Sequence, residues 1–100
     1  MENYFYHDVY MNFKDKIPKE DIKKMYSQME NLKNKIPQIT SVKIHNEPCN
    51  LEGKIYQGMF KVVFPDEKSE QEYQENPEHE KVSEFIQKIS KEITVKNYLN

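Results

Sequence analysis

Residues 4–13, Tyr-Phe-Tyr-His-Asp-Val-Tyr-Met-Asn-Phe, carry bulky side chains at almost every position. So many aromatic and β-branched groups predict a strand, in which successive side chains point to opposite faces. The odd-numbered face is Phe5, His7, Val9, Met11 and Phe13, and the even-numbered face is Tyr4, Tyr6, Asp8, Tyr10 and Asn12. Both faces are too large to leave in water, so both must be covered. Helices on one side satisfy the first face. Something else has to satisfy the second.

The rest of the chain supplies the helices. Pro18 opens one at its first position, with Glu20 and Asp21 in the first turn, where the helix dipole favours acids. Ile22, Met25, Tyr26, Met29, Leu32 and Ile36 then follow helical spacing, and Pro37 ends the run. A second strand is expected over residues 39–45 and a loop over 46–53, holding Pro48, Cys49 and Gly53. A third strand over 54–64 ends at Pro65. Residues 69–74 predict a short helix, broken at Asn76-Pro77, where Asn76 is a good N-cap and Pro77 a good first helical residue. Val82, Phe85, Ile86 and Ile89 form the apolar face of the next helix, with Ile93 as the candidate for its last turn. Residues 94–99 close the chain as a strand. The order βαββαβ, with right-handed crossovers, gives an α+β, ferredoxin-like fold: a four-stranded antiparallel sheet with helices on one face. In this reading the other sheet face is bare in a single chain.

A length of 100 residues allows one domain, spanning 1–100, that buries about two-thirds of its unfolded surface. The hydrophobic share is 36%, so the core is thin and a second copy packed on the bare face would add burial. A homodimer through sheet faces is therefore expected, with Tyr6, Asp8 and Tyr10 at the interface. All 15 basic residues are lysines against 17 acids, which removes the arginine fork suited to phosphate and argues against nucleic acid. Residues 1–4, Met-Glu-Asn-Tyr, have neither the basic nor the apolar part of a signal peptide, and no apolar run approaches membrane-spanning length. A cytoplasmic protein that does not bind membranes is expected. Cys49 is the only cysteine, so no disulfide forms within one chain. His45, Glu47 and Cys49 are too few and too loosely spaced for a zinc site. With two glycines there is no phosphate-cradling loop, and no nucleophile elbow is present, so no cofactor or metal is expected.

With this pattern in place, the chain resembles the stress-responsive A/B barrel (Dabb) family of dimeric α/β barrels over nearly its whole length. The markers are residues 7–15 (His-Asp-Val-Tyr-Met-Asn-Phe-Lys-Asp), Leu32 with Ile36-Pro37, the long strand Tyr56 to Phe64, and Val95-Lys96-Asn97-Tyr98. The most telling is Tyr73 followed by Asn76-Pro77-Glu78-His79, similar to the family's Tyr-x-x-His-Pro-x-His. Asn76 stands where that motif has its first histidine, and Gln57-Gly58 where the third strand often has another. Olivetolic acid cyclase-like members use the equivalent tyrosine and histidine in a cofactor-free cyclisation and carry a histidine matching His7. Trp is absent, which counts against the haem-degrading relatives of the fold.

The resemblance makes His79 and Tyr73 the candidate catalytic pair. If Asn76 caps, His79 lies in the first turn, where the helix dipole disfavours imidazolium and leaves a neutral base. Tyr73 would exchange a proton with it or stabilise an oxyanion. His7, on the helix-side face, is a candidate for fixing a ligand oxygen. Val9, Met11, Met25, Tyr26, Met29, Val82 and Phe85 are candidate pocket-lining residues, although at these spacings such side chains also serve as ordinary core. The leading expectation is a protein that binds a small, largely apolar molecule between sheet and helices. The alternatives are a cofactor-free lyase, cyclase or isomerase and a non-catalytic interaction module. A cavity joining His79, Tyr73 and His7 favours the first alternative, and a closed interior favours the second.

Overall fold

A computed structural model describes residues 3–100; Met1 and Glu2, part of the N-terminal segment judged above, lie outside the described residues. Nine elements follow in order: β1 (Phe5–Phe13), α1 (Lys19–Lys35), β2 (Ser41–His45), β3 (Cys49–Leu51), β4 (Lys54–Tyr56), β5 (Gly58–Phe64), α2 (Glu67–Glu75), α3 (Pro77–Ile89) and β6 (Ser90–Leu99). The main sheet is β2-β5-β1-β6, antiparallel throughout, and β3-β4 form a separate hairpin. The two-sided strand β1 lies in the middle, where both its faces are used. Phe5, His7, Val9, Met11 and Phe13 all turn towards the helices and are buried.

Four local expectations are corrected. Pro18 is the extended N-cap of α1 rather than its first helical residue. The segment expected as a loop contains β3, so Cys49 is a half-buried strand residue with a free thiol. The expected third strand is two strands in different sheets, parted at Gln57. The hairpin turn is Glu52-Gly53, with φ of 52° and 87°, the left-handed pair that a two-residue turn matched to strand twist requires. Gly53 takes the second of these positions without steric cost. The fourth correction concerns Ile93. The chain passes from α3 into β6 without a loop, β6 starts at Ser90, and Ile93 is a strand residue.

The hairpin also corrects the picture of a bare second face. Tyr56 packs on Tyr10 with ring centroids 5.6 Å apart, and its hydroxyl shares a 2.8 Å hydrogen bond with the Thr94 hydroxyl. Lys54 pairs with Glu92 and Lys96 with Glu52, so charges pin the hairpin to β6. Asp8 is already 4% exposed in the single chain.

Candidate functional site

The site begins with β1. Because strand side chains alternate, His7 is drawn under the helices with Phe5 and Val9, and it is 6% exposed. Antiparallel register sets Asn97 of β6 opposite it. There His7 Nδ1 lies 2.7 Å from Asn97 Oδ1, an acceptor, which puts the proton on Nδ1. Glu70 of α2, also 6% exposed, brings Oε2 to 3.7 Å from the same nitrogen. Gln74 Nε2, one turn on, donates to that Oε2 at 2.7 Å.

Tyr73 and His79 are joined by the α2–α3 break. Asn76 precedes a proline and is extended (ψ 129°), which ends α2. Its side chain then caps α3, with Glu78 N donating to Oδ1 at 2.9 Å, and Pro77 takes the first helical position. His79 is therefore in the first turn, as expected. The bend sets the Tyr73 and His79 rings 4.2 Å apart, centroid to centroid, at 48°. Tyr73 also packs on Phe64 at 5.0 Å and edge-on to His7 at 6.0 Å. Burial, more than anything else, pulls the His79 pKa below its ordinary value. The His7 ring adds to this, and the Gln74 backbone opposes it. The expected direction therefore has burial as its leading cause. Burial first and Glu70 second push the Tyr73 hydroxyl far above the usual tyrosine range, so it stays a proton donor.

A cavity of about 190 Å³ brings His7, Tyr73 and His79 together, with Val9, Met29, Phe60 and Ile86 as its apolar floor. Gln74, Ser83 and Gln87 line it from α2 and α3, and Ile93 and Val95 from β6. Of the residues named from sequence as ligand-binding, His7, Val9 and Met29 line this space. Met11, Met25 and Tyr26 are packed in the core. Val82 and Phe85 border a separate hollow of about 230 Å³ between α1 and α3. The Tyr26 hydroxyl stands where a Cβ at position 58 would be, so Gly58 is a packing requirement. That hydroxyl is buried without a partner among the described residues, and burial pushes its pKa up to about 12.

Sequence reasoning missed Glu70, Asn97 and Gln74. Glu70 had a signal: it lies three residues before Tyr73, and that spacing puts both on one helix face. Asn97 had none, because its place opposite His7 is set by register. Among the described residues, no group of three or more His, Cys, Asp or Glu side chains is placed to hold a metal ion. No helix among them is long and apolar enough to cross a membrane.

The family model described as Stress Responsive A/B Barrel Domain matches residues 5–100. No curated protein matches the sequence. Solved structures share the fold at low identity. A protein of Arabidopsis thaliana has a TM-score of 0.84 at 21% identity, covering 94% of this chain and 92% of its own. A hydroxynitrile lyase from Passiflora edulis has a TM-score of 0.87 at 15% identity, covering 100% of this chain and 95% of its own. A dimeric ferredoxin-like protein of unknown function from Thermobifida fusca has a TM-score of 0.81 at 13% identity, covering 98% and 92%.

Proposed function

Because the chain belongs to the stress-responsive A/B barrel (Dabb) family, we propose that it is a homodimeric protein that holds a small, largely apolar molecule between sheet and helices. The observation that carries this reading is the cavity of about 190 Å³, with its aliphatic and aromatic floor and three polar rings. Its volume is below the about 300–1,000 Å³ of sites for drug-sized ligands. An apolar cavity of about 150 Å³ accepts benzene. The ligand is therefore of one-ring size. The dimer part of the reading is supported by the dimeric neighbour from Thermobifida fusca and by the stacked pair Tyr6 and Tyr98 on the sheet face away from the helices. A cytoplasmic location belongs to the same proposal.

A second reading, proton transfer without a cofactor, is favoured by the same cavity, which joins His7, Tyr73 and His79, and by the contact between the Tyr73 and His79 rings. A neutral His79 accepts a proton from a ligand hydroxyl or an acidic carbon. The Tyr73 hydroxyl donates to the oxygen on which charge develops. Native mass spectrometry of the purified protein tests the first reading. Twice the chain mass with a retained small molecule, lost in Val9→Trp, is the expected result. A monomer, or a dimer that takes up no one-ring compound at millimolar concentration, would overturn it.

A further inference from the structure

The cavity wall is polar in places but carries no fixed charge: none of its lining residues is a Lys, Asp or Glu. A charge stands just behind it. Glu70 is buried, and its Oε2 is 3.7 Å from His7 Nδ1. Among the described residues, Gln74 is the hydrogen-bond donor to this carboxylate, which has room for more donors than that. The consequence falls on whatever enters. A buried carboxylate behind the His7 ring gives an anionic ligand repulsion and no counter-charge. Asn97 occupies His7 Nδ1, so Nε2 is left to accept from a ligand. His79 Nδ1 is buried without a partner among the described residues and is free to pair with a ligand.

We infer that this pocket selects a neutral, hydroxyl-bearing ligand over its carboxylate counterpart, and that Glu70 is the residue that turns the carboxylate away. The inference rests on the cavity being the ligand site proposed above. The probes are benzyl alcohol and benzoate, which are matched in size and differ in charge. NMR titration of the full chain, following the amides of His7, Tyr73 and His79, reports binding at the cavity. Benzyl alcohol is expected to bind at least about tenfold more tightly than benzoate. Glu70→Gln, which keeps shape and removes charge, is expected to shrink the alcohol-to-benzoate gap to below about threefold, chiefly by strengthening benzoate. Glu70→Asp keeps the charge and keeps the gap, and Glu70→Ala is the second charge-free variant should Glu70→Gln fail to fold. If benzoate equals the alcohol in the unaltered protein, or the charge-free variants keep the full gap, the inference is overturned while the ligand site stands. If no probe shifts the cavity amides, both fall together.

Discussion

The two faces of β1 use similar residues to different ends. On the helix side, His7 and Tyr73 border a cavity, and His79 Nδ1 is left without a partner among the described residues. On the other side, Tyr6 and Tyr98 stack at 5.1 Å, and the Lys61 ammonium lies 5.1 Å from the Tyr6 ring and 5.9 Å from the Tyr98 ring. The Tyr98 hydroxyl donates to Asp8 Oδ2 at 2.9 Å. One face keeps an unpartnered imidazole nitrogen next to empty space, whereas the other has stacked and paired its rings and leaves Asp8 Oδ1 buried without a partner among the described residues, with no cavity beside it. Reserve beside a cavity is what binding requires. Pairing on a flat aromatic surface suits a rigid face-to-face contact. The difference arises over adjacent residues, because His7 and Asp8 point to opposite sides of one strand.

That contrast predicts two kinds of damage. Phe64 is fully buried on the helix side, so Phe64→Ala is expected to cost about 3–5 kcal/mol of folding stability. Tyr6→Ala removes one stacked ring, worth about 0.5–1.5 kcal/mol beyond its area, and its main effect is expected on the proposed dimer. Urea unfolding and light scattering at one fixed protein concentration separate the two. If Phe64→Ala dissociates the protein without unfolding it, or Tyr6→Ala leaves the dimer intact, the division of labour between the faces is wrong.

A smaller effect sharpens the comparison within the helix side. A methyl group at position 58 would meet the Tyr26 hydroxyl, with the His45 carbonyl 3.4 Å away, so there is little room to yield. Gly58→Ala is expected to cost about 1–3 kcal/mol, the range for overpacking a core. Adding Tyr26→Phe deletes the clashing, unpartnered oxygen and should restore most of that loss. A double variant no more stable than Gly58→Ala alone would place the strain elsewhere.

The fold was legible because β1 is bulky on both sides and α1 is strictly periodic. Such patterns depend on the residues themselves and tolerate errors at element ends. The β3–β4 hairpin was hidden by its composition: Pro48, Asn50 and Gly53 read as loop, and Glu52-Gly53 is a weaker turn signal than Asn-Gly. The site was half legible. Tyr73 and His79 emerged from a motif and from the Asn76-Pro77 break, but Glu70, Gln74 and Asn97 join them through helix face and strand register, which a linear pattern does not display.

The smallest effect concerns pH. Burial lowers the His79 pKa in the folded protein, whereas the unfolded chain keeps an ordinary value near about 6.5. Below that value the unfolded state binds more proton at this position than the folded state. Stability is then fully present above about pH 6.5 and falls as pH drops from there towards the lower folded pKa. The carboxylates with lowered pKa, Asp66 and Glu92, lose their contribution only at more acid pH, so the two windows separate. Unfolding midpoints measured from pH 8 to pH 5 should fall more steeply for the unaltered protein than for His79→Gln, with the curves differing in slope only below about pH 6.5. Tyr6→Phe, on the opposite sheet face, should leave the slope unchanged. Equal slopes for the unaltered protein and His79→Gln would mean that the imidazole gains enough from its surroundings to offset its burial, and the neutral base beside Tyr73 would lose its support.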